Sequence, residues 1–566
     1  MAIITMTCTA VRAQEVTTLK LIETTDVHGS YYSYDFIRCA DTTGGLTRVA
    51  SYVEEQRKAN PGRVILLDNG DILQGQPVAY YYNFIDTASV HVSAAMLNRL
   101  GYDCGTMGNH DVEAGPDVYN RWVSDCRFPV LGANIIRRDT GEPYLPPYAI
   151  LERDGIRVAV LGMITPAIPS WLPENLWKGL EFEDMEECAS RWVKKIQETE
   201  KPDVMVGLFH AGPEGNKLDN VIENGSKLAA VNVPGFDIVF MGHDHQVLCE
   251  KVANVRGDSV LLINPANAAR RVAEVTLTVT KDDGKVTDKQ VEGRIVNMED
   301  YADEPAFSEE FRPQFEATKN FVSKRIGSIK STISSQDAFF GPSAFIDLIH
   351  QLQMDISGAG ISFCAPLAMN AELKKGDIYM SDMFNLYRFE NLLYVMELTG
   401  QEIKDFLEMS YGLWTDRMSS ADDHLLLLND EDKGFGRLRN ASFNFDSAAG
   451  IIYTVDVTKP AGEKVSIISL ADGSEFSLTG KYRVAVNSYR GNGGGDLLTK
   501  GAGIAKEELS KRIVFSTVKD LRYYLMERIE QAGVIDPKPL GHWKFIPEDW
   551  AEQAGSRDRE ILFGNH

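Results

Sequence analysis

Asp, His and Asn residues recur in five short motifs in the first half of this 566-residue chain. They are Asp26-Val27-His28, Gly70-Asp71, Gly108-Asn109-His110-Asp111, a lone His210, and Gly242-His243-Asp244-His245. Each follows a short apolar run that reads as a buried strand, as LKLIETT does before Asp26 and DVMVGLF before His210. Polar side chains at strand ends converge on one edge of a sheet, the usual binding locus of open α/β folds. Carboxylate, imidazole and carboxamide groups suit Zn, Mn, Fe or Co, and a shared carboxylate holds two such cations close together. Two cations roughly 3.5–4 Å apart clamp the attacking and leaving oxygens of a phosphoryl transfer and lower the pKa of bound water from ~15.7 toward about 7. The pattern points to two-metal phosphoester chemistry.

The elements that must position these residues can be read around them. Residues 17 to about 297 alternate buried strands with stretches of helical periodicity, such as 46–60 and 89–103. From residue 259 the pattern turns β-rich and alternating, with KDDGKVTDKQ (281–290) as a polar hairpin tip. The charged stretch 305–327 reads as a connecting helix, after which a fresh hydrophobic pattern begins. That second pattern predicts helices over 343–357, 381–389, 401–412 and 516–533. Its strands are predicted over 360–367, 392–400, 450–457 and 482–489. The expected organisation is an N-terminal segment 1–16, a first domain 17–304, a linker helix within 305–335, a second α/β domain 336–545 and a tail 546–566.

Composition narrows the function classes. The chain is too long for one hydrophobic core and should form at least two domains. A net charge of −23 argues against an electrostatic grip on DNA or RNA polymers. An acidic protein that handles anionic substrates needs local positive charge, which bound metals supply. Beyond the motifs, His91, His350, His424, His542 and His566 carry no pattern and read as ordinary residues. No stretch reaches the ~18 apolar residues of a membrane span. The start, MAIITMTCTAVRAQE, has small residues suited to cleavage after Ala13, which favours export over a lipid anchor at Cys8. Seven cysteines show no C-x-x-C pair, and Cys104–Cys126 is a candidate disulfide beside the plainer reading of free thiols.

The ordered motifs resemble the calcineurin-like metallophosphoesterases, and with the second half they resemble the secreted bacterial 5′-nucleotidase / 2′,3′-cyclic-nucleotide 2′-phosphodiesterase family. A single D-x-H recurs by chance; five motifs in order do not. The resemblance implies a four-layer α-β-β-α metallophosphoesterase domain joined by a helix to a second α/β substrate-binding domain. It implies two divalent metal ions (Zn, Mn, Co or Fe). Asp26, His28, Asp71 and His245 would bind the first, and Asp71, Asn109, His210 and His243 the second. It further implies attack on phosphorus by metal-bound hydroxide. His110 would donate to a phosphoryl oxygen or the leaving group, and Glu113 would orient it where relatives also carry Asp. The implied location is periplasmic or secreted.

In the second half, GISFCAPLAMNAELKKGDIYMSDMFNLYRFENLLYVMELTGQEIKDFLEMS and YRVAVNSYRGNGGGD (482–496) carry the resemblance. Phe389 and Tyr489 match two aromatics that sandwich a nucleobase, and Asn391 and Asp496 match positions that hydrogen-bond the base or ribose. Stacking of this kind contributes roughly 1–3 kcal/mol per base with little discrimination. The glycines of 491–495 read as a tight turn that lets backbone approach a ligand. One departure is informative. Members acting as 5′-nucleotidases often carry N-x-G-G-x-R, whose Arg grips the phosphate, whereas Asn370 stands at that place here. The sequence therefore favours the 2′,3′-cyclic-nucleotide 2′-phosphodiesterase / 3′-nucleotidase branch. The alternatives are a 5′-nucleotidase, a hydrolase of nucleotide sugars or sulfur esters, and a decayed binding protein. All seven ligand positions carry competent side chains, which weighs against decay.

Overall fold

The computed structural model describes residues 14–215, 217–218, 221–431 and 437–564. The expected N-terminal cleavage segment and Cys8 lie outside them, and the first strand begins at Glu15. The chain divides into two compact units, Met1–Pro169 with Glu174–Thr318, and Ser170–Pro173 with Lys319–His566. Both are α/β.

The first unit is built on two six-stranded sheets. In one, strands Glu15–Thr24, Val64–Asp68, Cys104–Thr106 and Val130–Leu131 run parallel. The hairpin Arg271–Asp282 and Lys285–Asn297 extends this sheet antiparallel from Glu15–Thr24. In the other, Ile156–Ile164, Val204–His210, Ile238–Met241 and Ser259–Pro265 are parallel, with antiparallel strands at both edges. Alternation along Val204–His210 shows how the layers form. Val204, Val206 and Leu208 point into the core shared with Leu21, Ile65 and Leu67 of the first sheet, while Met205 and Phe209 meet Cys188, Trp192 and Ile196 of helix Met185–Thr199. Covered on both faces, this strand is buried at every residue. Its ends therefore stop at a defined edge. The polar hairpin tip turns at Asp283-Gly284, both with positive φ, which matches the twist of the flanking strands.

The second unit carries a five-stranded sheet ordered Ser447–Ala449, Ile361–Cys364, Lys481–Asn487, Leu392–Thr399, Ile513–Asp520. A three-stranded sheet joins Val465–Leu470, Ile451–Asp456 and Trp543–Ile546. Helix Ala344–Ser357 is capped by Ser343 and ended by Gly358 in the left-handed region. The core is rich in aromatics: Tyr411 and Trp414 stack at 5.0 Å, and the Tyr411 and Tyr453 hydroxyls meet at 2.8 Å.

Three expectations need correction. The stretch 305–335 is not one helix but Pro305–Glu310, Arg312–Val322 and the strand Arg325–Ile329. Pro313 has no N–H to return to Glu309, so the first helix ends and a second starts. Residues 516–520 form a strand paired with Leu392–Met396, and the helix begins only at Leu521, capped by the Asp520 side chain. The tail is not inert: Glu548–Phe563 is a helix whose Ala551 and Ala554 enter the core. Its buried Asp558 accepts the Leu425 and Leu426 amides and pairs with His424 at 2.5 Å. Of the two readings for Cys104 and Cys126, the plainer one holds: both are free thiols, one inside a parallel strand and one closing a helix. No helix of the described residues is long and apolar enough to cross a membrane.

Candidate metal centre

The five motifs sit where the parallel strands of the first unit end. Strand Glu15–Thr24 delivers Asp26 and His28, Val64–Asp68 delivers Asp71, Val204–His210 ends on His210, and Ile238–Met241 delivers His243 and His245. Five of these residues turn sharply: Asp26, His28, Asp71, His243 and His245 all have positive φ, between 48° and 74°. Such conformations are costly for residues with a Cβ and cluster at functional sites. The turns are cross-tied, Asp26 N donating to Gly70 O and His28 N to Asp71 O, both at 2.9 Å. A glycine is required at Gly108, because a Cβ there would lie 2.1 Å from Asp71 Oδ1.

The side chains fall into two groups able to hold a cation, Asp26–His28–His245 and Asp71–His210–His243, with the donor atoms of each within 4.8 Å of one another. In the first, His245 Nε2 lies 3.3 Å from Asp26 Oδ1 and 3.0 Å from His28 Nε2. In the second, His210 Nε2 lies 3.1 Å from Asp71 Oδ2 and 3.1 Å from Asn109 Oδ1, and His243 Nδ1 lies 2.8 Å from the same Asn109 oxygen. Asp71 Oδ2 is also 3.9 Å from His28 Nε2, so this carboxylate stands between the groups. All seven expected ligands are therefore brought together.

The electrostatics fit a cation. Asp26 and Asp71 are fully buried, and among the described residues their ion pairs involve histidines only. Burial alone would raise the Asp71 carboxyl, but His210 and His110 beside it hold it well below its ordinary value. Burial pulls His210 down, yet Asp71 and Asp26 prevail and push it up to about 10. His28 is drawn down to about 4, mainly by burial, which leaves a neutral imidazole suited to ligation. Two buried carboxylates that must recruit positive charge from imidazoles are what a divalent cation would satisfy.

His110 and Glu113 also meet, Nδ1 and Oε2 being 2.5 Å apart within helix Asn109–Glu113. Burial lowers the His110 pKa, but Asp71 and Glu113 outweigh it and raise it to about 9. Asp111 belongs to the third motif but is not one of the seven expected ligands. Its buried carboxylate accepts the amides of Asp71, Ile72, Leu73 and Gly108 at 2.7–2.9 Å, tying two ligand turns together. The Asn69 carbonyl, 2.6 Å from His210 Nδ1, and Glu223, 3.0 Å from His243 Nε2, were missed because neither lies in a recurrent pattern.

The second-unit residues are placed on two segments. Phe389 is half-buried after helix Met380–Leu386, and Asn391 is buried with its Nδ2 3.4 Å from the Tyr387 hydroxyl. Tyr489 is half-buried with its ring edge against Phe443, and Asp496 pairs with Lys500 at 2.7 Å. The glycine run is a tight turn, and a Cβ at Gly494 would lie 2.5 Å from the Tyr489 ring, so the turn packs against that side chain. Arg490, itself buried, donates to Asp446 at 2.7 Å, to the Phe443 carbonyl at 2.7 Å and to the Gly494 carbonyl. Of the histidines outside the motifs, His566 lies outside the described residues, and His91, His350, His424 and His542 have structural partners, as His350 does between the Ser362 and Ser447 hydroxyls.

Comparison with known proteins agrees with this architecture. Residues 19–247 match the calcineurin-like phosphoesterase family and residues 323–500 the 5′-nucleotidase C-terminal domain. The chain is 27% identical to a 2′,3′-cyclic-nucleotide 2′-phosphodiesterase/3′-nucleotidase of Haemophilus influenzae, covering 94% of this chain and 87% of the relative. It is 26% identical to the trifunctional nucleotide phosphoesterase protein YfkN of Bacillus subtilis, again over 94% of this chain but only 39% of that longer protein. The fold resembles a 5′-nucleotidase precursor from Thermus thermophilus with a TM-score of 0.63 and 22% identity, over 94% of this chain and 100% of the other. With a metal-competent strand edge in one unit and the matching second unit beside it in sequence, the chain belongs to the calcineurin-like phosphoesterases that carry a 5′-nucleotidase C-terminal domain, a class of metal-dependent phosphoester hydrolases.

Proposed function

We propose that this protein hydrolyses nucleotide phosphoesters of the 2′,3′-cyclic and 3′ type. The observation that carries the reading is the convergence of Asp26, His28, His245 and Asp71, Asn109, His210, His243 into two adjoining groups. Those residues would hold two divalent cations, with Asp71 shared. When bound, such cations activate water and neutralise charge on a phosphoryl group. The chain's own residues do the rest. Asp111 fixes the turns that present Asp71 and Asn109. Glu113 orients His110 through Nδ1, leaving the other ring nitrogen to donate to a phosphoryl oxygen or to the departing ribose oxygen. Phe389 and Tyr489 would stack on the base, and Asn391 and Asp496 would bond its edge or the ribose.

The choice of phosphate position rests on Asn370 and on the Haemophilus relative's name. Asn370 is exposed, neutral and accepts from Gln336 at 3.0 Å, so it offers no guanidinium to a distal 5′-phosphate. The Thermus structure's name keeps 5′-nucleotidase as the second reading. Phosphate release from 2′,3′-cyclic AMP, 3′-AMP and 5′-AMP by Mn²⁺- or Co²⁺-loaded protein, with an EDTA-treated control, separates the two. Preference for the cyclic and 3′ substrates is expected; preference for 5′-AMP would reverse the choice, and activity surviving EDTA would remove the metal reading.

A further inference from the structure

We propose that Glu223 is a positioning residue for the second cation site, holding His243 so that Nδ1 faces Asp71, Asn109 and His210. The inference rests on the two-cation reading above and extends it to a residue outside the five motifs. His243 meets different neighbours at its two nitrogens. Nδ1 lies 2.8 Å from Asn109 Oδ1, which in turn lies 3.1 Å from His210 Nε2, itself 3.1 Å from Asp71 Oδ2. Nε2 points the other way, 3.0 Å from Glu223 Oε1. A neutral imidazole carries one N–H. Donation of Nε2–H to the carboxylate leaves the Nδ1 lone pair directed at the cluster, so the carboxylate fixes both the tautomer and the orientation of the ring.

Glu223 is itself held for this task. Its carbonyl accepts from Thr165 Oγ1 at 2.8 Å, and the Thr165 amide donates to the His210 carbonyl at 2.9 Å. The carboxylate is thus referenced to the end of the strand that bears another ligand. The next residue, Asn224, accepts the Gly212 amide at 2.6 Å and closes the same loop. Among the described residues Glu223 pairs with His243 and with no Lys or Arg, so the carboxylate has no separate ion pair to maintain. Its side chain is 25% exposed, so replacing it should not open the core. Among the described residues, Asp26, His28 and His245 of the first site make no hydrogen bond or ion pair with it.

The test is Mn²⁺ titration of the metal-stripped full chain, followed by calorimetry and by electron paramagnetic resonance for the coupled two-manganese signal. Wild-type protein should take up two Mn²⁺. Glu223→Leu should bind the first Mn²⁺ as wild type does and the second about 10–100-fold more weakly, so that the coupled signal fades at stoichiometric loading. Glu223→Gln, which still offers an acceptor oxygen to Nε2–H, should recover much of that loss. Unchanged melting of the metal-free variants would show that the fold is intact. Equal affinity for both cations in Glu223→Leu, or equal weakening of both sites, would overturn the assignment. Uptake of fewer than two Mn²⁺ by wild type would overturn the two-cation reading and the assignment with it.

Discussion

In the first unit, the polar cluster is held by main chain. Its residues occupy turns at the ends of buried parallel strands, five of them with positive φ, and the turns are tied by amide hydrogen bonds and by the Asp111 carboxylate. In the second unit, the segments expected to meet a nucleoside are fastened by buried guanidinium groups. Arg490 grips the carbonyls of Phe443 and Gly494 around Tyr489, and Arg522 grips those of Tyr387 and Arg388 just before Phe389. The difference follows from the chemistry required. Cation ligation demands donor atoms placed to within a few tenths of an ångström, which backbone turns at a sheet edge supply. Base stacking tolerates more freedom, and a loop pinned at its carbonyls suffices.

The largest expected effect lies in the residue common to both cation groups. Asp71→Ala should lose cation binding at both sites and bring turnover to background, checked by metal analysis after gel filtration and by phosphate release. Retention of two bound cations would show that Asp71 is not the shared ligand. His110→Ala should keep both cations yet slow turnover by about 10²–10⁴-fold. Because the two variants separate loading from turnover, they break the first unit's cluster into ligand and donor parts.

This contrast also explains what could be read from the sequence. The ligands were legible because each backbone turn restricts its residue type: Gly108 has no room for a Cβ, and Asp26 or His243 must sit at a strand end. Short motifs record such restrictions. Glu223 left no such record, since a carboxylate reaching His243 from a loop can start from many positions. The glycine run was seen as a turn, but not that it closes on Tyr489 and Arg490, because the partner of a turn is a tertiary fact. The tail helix was missed for a related reason. Its apolar stripe of Ala551 and Ala554 is too small to stand out until it meets the aromatic core.

A third variant probes the second unit's mode of support. Arg490→Met leaves Asp446 buried without its cation, at a cost of about 3–5 kcal/mol in urea unfolding of that unit. Cation uptake by the first unit should be unchanged. Adding Asp446→Leu should restore part of the loss, since it removes the unpaired buried carboxylate while the Phe443 and Gly494 carbonyls still lack their donor. With that double variant, KM for the nucleotide should rise while turnover of bis(p-nitrophenyl) phosphate, which carries no base, stays the same. An equal rise for both substrates would mean that the Arg490 loop does not serve the base.

The smallest expected effect comes from a buried acid that needs no metal. Glu274, on the first unit's hairpin, is as buried as Asp71 but is surrounded by chain donors: Lys20 and Arg294, both at 2.8 Å, and the Tyr52 hydroxyl. Burial raises its pKa, but Arg294, Lys20 and Tyr52 outweigh that and lower it from 4.5 to about 2. Above about pH 4.5 the carboxylate is charged in both folded and unfolded chains, and its donors favour the folded one. As pH falls from 4.5 toward 2 the unfolded chain takes up the proton first, so this stability is lost across that window. Arg294 is 61% exposed, so screening limits the contribution to about 1–2 kcal/mol. Glu274→Gln should therefore flatten the acid side of the melting profile while leaving cation uptake unchanged. Asp26 and Asp71, lacking any Lys or Arg partner among the described residues, should behave in the opposite way: their replacement changes cation uptake first. A buried carboxylate is thus marked as a ligand less by its burial than by which cations the chain withholds from it.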